Sequence, residues 1–104
     1  MASGMNGQSF AFVGYLPVKP DERKSEIKRL EKLSDRTGQS QIIIETPYRN
    51  NALFSDLVQI CSPSKLICVA SAITSQEESI RTLTAYEWGK EKVDLNRKPC
   101  VFIL

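Results

Sequence analysis

Histidine is absent from this chain, and its three cysteines, Cys61, Cys68 and Cys100, form no Cys-x-x-Cys pair. Those shortages exclude, within the chain, both the clustered ligands of a zinc site and the histidine-based triads that activate a serine or cysteine. No metal is expected. An odd cysteine count, with each thiol in an apolar stretch, reads as buried free thiol in a reducing compartment. No apolar run approaches the roughly 20 residues of a membrane span, so no membrane partner is expected. The opening residues Met1-Ala2-Ser3-Gly4-Met5-Asn6-Gly7 have neither the basic start nor the apolar segment of a secretory signal. A cytoplasmic location follows as the expectation. Internal repeats and low-complexity stretches are missing too.

Charge of one sign is also in short supply: 14 Lys and Arg stand against 12 Asp and Glu, a net of +2. That excess is too small to indicate nucleic acid unaided, because phosphate binding shows as a strong basic surplus or a clustered patch. The cations do gather in Lys19, Arg23, Lys24, Lys28, Arg29, Lys32 and Arg36, yet Asp21, Glu22, Glu26, Glu31 and Asp35 interleave with them. Such spacing describes a solvated helix braced by ion pairs. At 104 residues the chain has room for one core and one domain.

Periodicity divides that domain into alternating elements. A strand is predicted at 9–15, ending at Leu16-Pro17, then a helix at 21–36 whose apolar line Ile27, Leu30, Leu33 is narrow and whose stop is Thr37-Gly38. Residues 41–45 read as the central strand, 50–61 as a second helix and 65–70 as a strand apolar throughout and therefore expected to be covered on both faces. An edge strand at 79–84, a short helix at 85–92 and a final strand at 99–104 complete the series, with Pro99 tolerated at a strand's first residue. The fold class is α/β, with about five strands flanked by about three helices.

The most informative junction is Glu45-Thr46-Pro47-Tyr48-Arg49-Asn50, launched from Ile42-Ile43-Ile44. A β-branched run that stops at an acid, a proline, an aromatic and an arginine is a strand ending in a polar corner, where open α/β sheets place their ligand groups. Pro47 keeps Thr46 extended, and the helical stripe Leu53-Phe54, Leu57-Val58, Cys61 begins only afterwards. Two further loops can converge with this one: Ala70-Ser71-Ala72 and Lys98-Pro99-Cys100. The small side chains of the first suit either ordinary turn chemistry or the close approach of a flat ligand.

The Glu-Thr-Pro-Tyr-Arg run resembles the Glu-Ser-Pro-His-Arg type motif of the ribosomal RNA small-subunit methyltransferase I family, within the tetrapyrrole methylase superfamily. Ala2-Ser3-Gly4-Met5 and Phe10-Ala11-Phe12-Val13-Gly14-Tyr15-Leu16-Pro17 are similar to that family's Ala-Ser-Gly-Leu and Phe-x-Gly-Phe-Leu-Pro segments, in the same order. The resemblance covers essentially the whole chain and implies the superfamily's C-terminal domain, a mixed sheet flanked by helices. The N-terminal domain that cradles the cofactor would then lie outside these residues, and 1–104 would be inactive alone. S-adenosylmethionine is the implied cofactor, a homodimer the implied assembly and ribosomal RNA the implied partner. By position, Thr46, Ala70, Ser71, Ala72, Pro99 and Cys100 would border the cofactor, while Tyr48 and Arg49 would face substrate.

The implied reaction is in-line displacement of a sulfonium methyl by a substrate nucleophile, which needs alignment and a dry cleft more than a strong base. No catalytic residue is assigned. Glu45 is the local candidate to take a proton from a hydroxyl acceptor, against a structural reading in which it pairs with Arg49 or caps the next helix. The chain departs from the family where Ala70-Ser71-Ala72-Ile73-Thr74-Ser75 replaces Ala-Arg-Glu-Leu-Thr-Lys and Lys98-Pro99-Cys100 replaces Lys-Gly-Glu. Those losses weaken the grip on a ribose-phosphate. They keep open a tetrapyrrole or other small-molecule methyltransferase, or a non-catalytic α/β binding or dimerisation module.

Overall fold

The β-branched run at Ile42 to Ile44 pairs on both sides, and its partners set the order of the sheet. The computed structural model describes residues 9–71, 79–95 and 97–104. Among these lie five strands, β1 (Phe10–Tyr15), β2 (Ser40–Ile44), β3 (Leu66–Ser71), β4 (Ser79–Thr84) and β5 (Cys100–Ile103), in the spatial order β1-β2-β5-β3-β4. β1 runs parallel to β2, while β5 is antiparallel to both β2 and β3, and β4 is antiparallel to β3. The mixed α/β sheet expected from the sequence is therefore present. β5, not β2, is its central strand, because β5 lies between β2 and β3 with β1 and β4 at the edges.

Three helices accompany the sheet: α1 (Pro20–Thr37), α2 (Asn50–Ile60) and the single turn α3 (Ala85–Trp88). Pro20 opens α1, where its missing N–H costs nothing, and Gly38 closes it at φ 73° with its N–H on Ser34 O at 2.9 Å. α3 is shorter than the 85–92 expected. Gly89 and Lys90 turn away after a capping box, in which Thr84 Oγ1 accepts from Glu87 N and Glu87 Oε1 accepts from Thr84 N.

One core joins all three helices to one face of the sheet. Ile27 and Leu30 of α1 and Leu53, Phe54 and Leu57 of α2 pack with Ile43, Ile67, Val69 and Phe102, and Trp88 of α3 meets Phe54 edge-on at 5.3 Å. Trp88 also donates Nε1–H to Ile67 O at 2.8 Å, which satisfies its buried polar atom. The opposite face is apolar but only partly covered. Cys68 and Ile103 are buried there, whereas Phe10, Phe12, Tyr15, Leu66 and Ile80 are exposed. Residues 65–70 are thus not covered throughout, since Leu66 lies open.

A bulge in β1 explains the aromatic cluster on that face. Phe12 pairs with Ile42 and Tyr15 with Ile44, so Val13 is the extra residue that keeps Phe12 and Tyr15 on one side although they are three apart. Gly14, at φ 82°, supplies the left-handed backbone that the irregularity requires.

Candidate functional site

Antiparallel pairing with β5 makes β2 and β3 run in the same direction, so both deliver their carboxyl ends to one edge. Val101 is level with Ile44 on one side and Ala70 on the other, and Cys100 is paired with Ser71. One residue further along β2 brings Glu45, then Thr46, to the same edge. Thr46, Ser71 and Cys100 therefore meet at one end of the sheet, with the start of β5 standing between the other two strands. Two strand spacings separate the Thr46 and Ser71 chains, roughly 10 Å. Ala70 and Ser71 are half-buried there, Pro99 is exposed and Cys100 is buried. Ala72 lies outside the described residues, as do residues 1–8 with the Ala2-Ser3-Gly4-Met5 segment.

The corner after β2 is a turn of 3-10 helix, Pro47–Arg49, before α2 begins at Asn50. Tyr48 and Arg49 project from it as the sequence indicated. Tyr48 is 69% exposed, and the Arg49 guanidinium carbon sits 5.9 Å from its ring centroid, a cation–π contact. No carboxylate among the described residues lies within ion-pair distance of Arg49.

Glu45 takes neither partner expected of it. Its Oε1 accepts from Thr46 N at 2.8 Å, and its Oε2 lies 3.4 Å from Arg23 Nη1, a cation delivered by α1. Arg23 Nε also approaches Asp56 Oδ2 of α2 at 2.9 Å, off its N–H line, and its buried Nη2 has no acceptor among the described residues. Arg23 thus ties β2, α1 and α2 together where Arg49 was the other candidate. Glu45, so engaged, is a structural carboxylate rather than a free proton acceptor.

Two residues that motif reasoning passed over fix the corner to the segment before β5. Asn50 is fully buried and donates from Nδ2 to Lys98 O at 2.6 Å and to Leu95 O at 3.3 Å, while its Oδ1 has no partner among the described residues. Asn51 accepts from Leu95 N at 2.7 Å and donates to Asp94 at 3.0 Å. Arg97 N donates to Pro47 O at 3.2 Å. The signal in the sequence was a polar pair at the start of an apolar helix, and its partners lie more than forty residues away.

Arg23 is buried in its ion pair, Arg29 pairs with Glu26, and Lys24 and Lys28 line a hollow of about 480 Å³ with Pro20, Asp21, Asp56, Gln59 and Ile60. Further hollows of about 280 and 420 Å³ also lie against α1, and none of the three is lined by Thr46, Ser71 or Cys100.

No family model matches the chain. Ribosomal RNA small subunit methyltransferase I of Vibrio cholerae serotype O1 is 29% identical over 99% of the chain, and that of Buchnera aphidicola subsp. Baizongia pistaciae 26% over all of it. The chain is similar to these methyltransferases from end to end. It spans about a third of the length of each, 35% in both cases. The solved structure of the methyltransferase CobJ superposes with a TM-score of 0.56 at 20% identity, covering 98% of this chain and 44% of that one, which shows a shared fold. The resemblance carried by Glu45 to Arg49 and Phe10 to Pro17 is therefore matched by relatives along the whole sequence.

The residues present suit one side of a methyl-donor site. They offer small side chains at Ala70 and Ser71, a hydroxyl at Thr46 and strand-end backbone, which permit close approach of a flat ring. Among the described residues, no cluster that could hold a metal ion occurs, and no helix is long and apolar enough to cross a membrane.

Proposed function

We propose that these 104 residues are the C-terminal domain of an S-adenosylmethionine-dependent methyltransferase that acts on an RNA ribose hydroxyl. One observation carries the reading: the chain matches ribosomal RNA methyltransferases along its whole length, and the described residues among those that the resemblance assigns to the cofactor fall on a single sheet edge. When bound, S-adenosylmethionine would supply an electrophilic methyl group. Thr46, Ala70, Ser71 and Cys100 would form one wall against it, and Tyr48 and Arg49 would hold the acceptor beside that wall. Transfer would form a carbon–oxygen bond to the acceptor at the expense of the donor's carbon–sulfur bond, and the hydroxyl proton would leave to solvent or to a group outside this chain, because Glu45 is held by Arg23 and Thr46.

The other wall, with most polar contacts to the cofactor, would come from an N-terminal domain outside these residues. We also propose that the protein works as a homodimer that uses the partly uncovered face bearing Phe10, Phe12 and Tyr15. The departures at Ala70 to Ser75 and at Pro99-Cys100 support a second reading, transfer to a tetrapyrrole or other small molecule. Those segments carry small residues where a ribose-phosphate grip would need charge.

Titrating S-adenosylhomocysteine into the isotopically labelled chain tests the cofactor wall. Amide shifts should be largest at Thr46, Ser71 and Cys100, while calorimetry with S-adenosylmethionine should give heats too weak to fit. Tight binding would mean a complete site within the chain. Shifts centred on the hollow between α1 and α2 would move the site elsewhere.

A further inference from the structure

We propose that Arg97 and Lys98 join Arg49 and Tyr48 in a phosphate-binding corner at the carboxyl edge of the sheet. The inference rests on the RNA reading above and specifies how that substrate would be gripped. Arg97 and Lys98 are forty-eight or more residues from Arg49 in sequence. The backbone brings them together: Arg97 N is on Pro47 O at 3.2 Å, and Lys98 O receives Asn50 Nδ2 at 2.6 Å. Three cations consequently issue from two adjoining turns, with Arg49 and Arg97 exposed and Lys98 half-exposed.

Among the described residues, the nearby acids are already engaged. Glu45 is held by Arg23 and Thr46, and Asp94, the acid nearest to Arg97 in the chain, accepts from Asn51 at 3.0 Å. An arginine fork and a lysine point charge suit a phosphate oxygen set, and the exposed Tyr48 ring beside Arg49 suits a base unstacked from a single strand.

The backbone of Arg97 points the same way. It adopts φ 61°, the left-handed region that glycine and asparagine occupy more readily than a long side chain. An arginine at this disfavoured backbone position fits a guanidinium that is used, and Arg97→Asn tests that. This also supplies at the corner some of the charge that the departures at Ala70 to Ser75 lack.

Arg97→Asn and Lys98→Gln provide the test, each read by melting temperature and by binding of two probes. The probes are inorganic tripolyphosphate and a labelled single-stranded oligoribonucleotide of mixed sequence. Each substitution should weaken binding of both probes roughly tenfold. The double variant should flatten the salt dependence of oligonucleotide binding by about 1.4 log units per log unit of salt. Arg97→Asn should melt no lower than the parent, which separates a binding role from a structural one. If tripolyphosphate binds through Arg97 and Lys98 while the oligonucleotide does not bind, the anion site stands and the RNA reading falls. If the oligonucleotide binds equally well to parent and double variant, RNA binding stands and the corner is overturned. Failure of both probes to bind the parent also overturns the corner.

Discussion

Arg23 Nη1 stands 3.4 Å from Glu45 Oε2 with both side chains more than nine-tenths buried, so a residue in the first turns of α1 neutralises the acid that ends β2. Removing one partner strands the other's charge away from water. Arg23→Met should therefore lower stability by about 3–5 kcal/mol, while Arg23→Met combined with Glu45→Gln should recover most of that loss. Urea unfolding followed by circular dichroism measures both. A single-variant cost below about 1 kcal/mol would mean that the pair behaves as a solvated surface bridge.

The element series was legible because each strand or helix carries its own period: Ile42-Ile43-Ile44 for β2, the Leu53, Phe54, Leu57 stripe for α2 and the weak alternation at Ser79–Thr84 for β4. The ends of α1 were equally clear, because Pro20 and Gly38 act locally. Sheet order was not readable, since the pairing of β2 with β5 joins residues about sixty apart and nothing in either strand names its neighbour. Glu45 illustrates the same limit at the site. Its nearest cation in sequence is Arg49, yet the fold brings Arg23 across from α1. The roles of Asn50 and Asn51 depend entirely on a distant loop, so no motif announced them.

Those two asparagines should act as the latch between the corner and the approach to β5. Asn50→Ala removes the donor to the Leu95 and Lys98 carbonyls and should cost about 1–3 kcal/mol. Asn51→Ala frees the Leu95 amide, whose acceptor is Asn51 Oδ1 at 2.7 Å. Hydrogen exchange at Leu95 should then accelerate while amides in β2 and β3 stay protected. Unchanged exchange at Leu95 would show that the segment is held by other contacts.

Cys61 carries a pH dependence of its own. Burial, reinforced by the nearby Glu31 charge, pushes its thiol from an ordinary 9.0 up to about 12. An unfolded chain ionises this thiol at lower pH than the folded one, so the native state is favoured below pH 9 and loses that advantage as pH rises toward 12. Cys61→Ala should flatten the fall in stability across that window, read as the difference in urea midpoint between the two ends. At pH 8.5 iodoacetamide should leave Cys61 unmodified in the folded protein and alkylate it after denaturation. Rapid native alkylation at this residue would contradict a buried, protonated thiol.

The partly uncovered sheet face yields the test of the proposed homodimer. Phe10, Phe12 and Tyr15 are 53%, 67% and 63% exposed, which at 150–250 Å² per ring leaves roughly 300–450 Å² of aromatic surface open. Leu66 and Ile80, with half-buried Ile42, Ile44 and Val101, extend the same face toward the roughly 800 Å² that each partner of a stable complex contributes. No charged residue of β1, β2 or β5 interrupts it, so a second copy of the same apolar face is a fitting occupant. Phe12 carries little of the fold, being the most exposed of the three rings. Phe12→Lys should consequently leave the melting temperature nearly unchanged while shifting the population to monomer in sedimentation equilibrium. A parent that sediments as a monomer at high concentration, or a Phe12→Lys variant that still dimerises, would remove this face as the dimer interface.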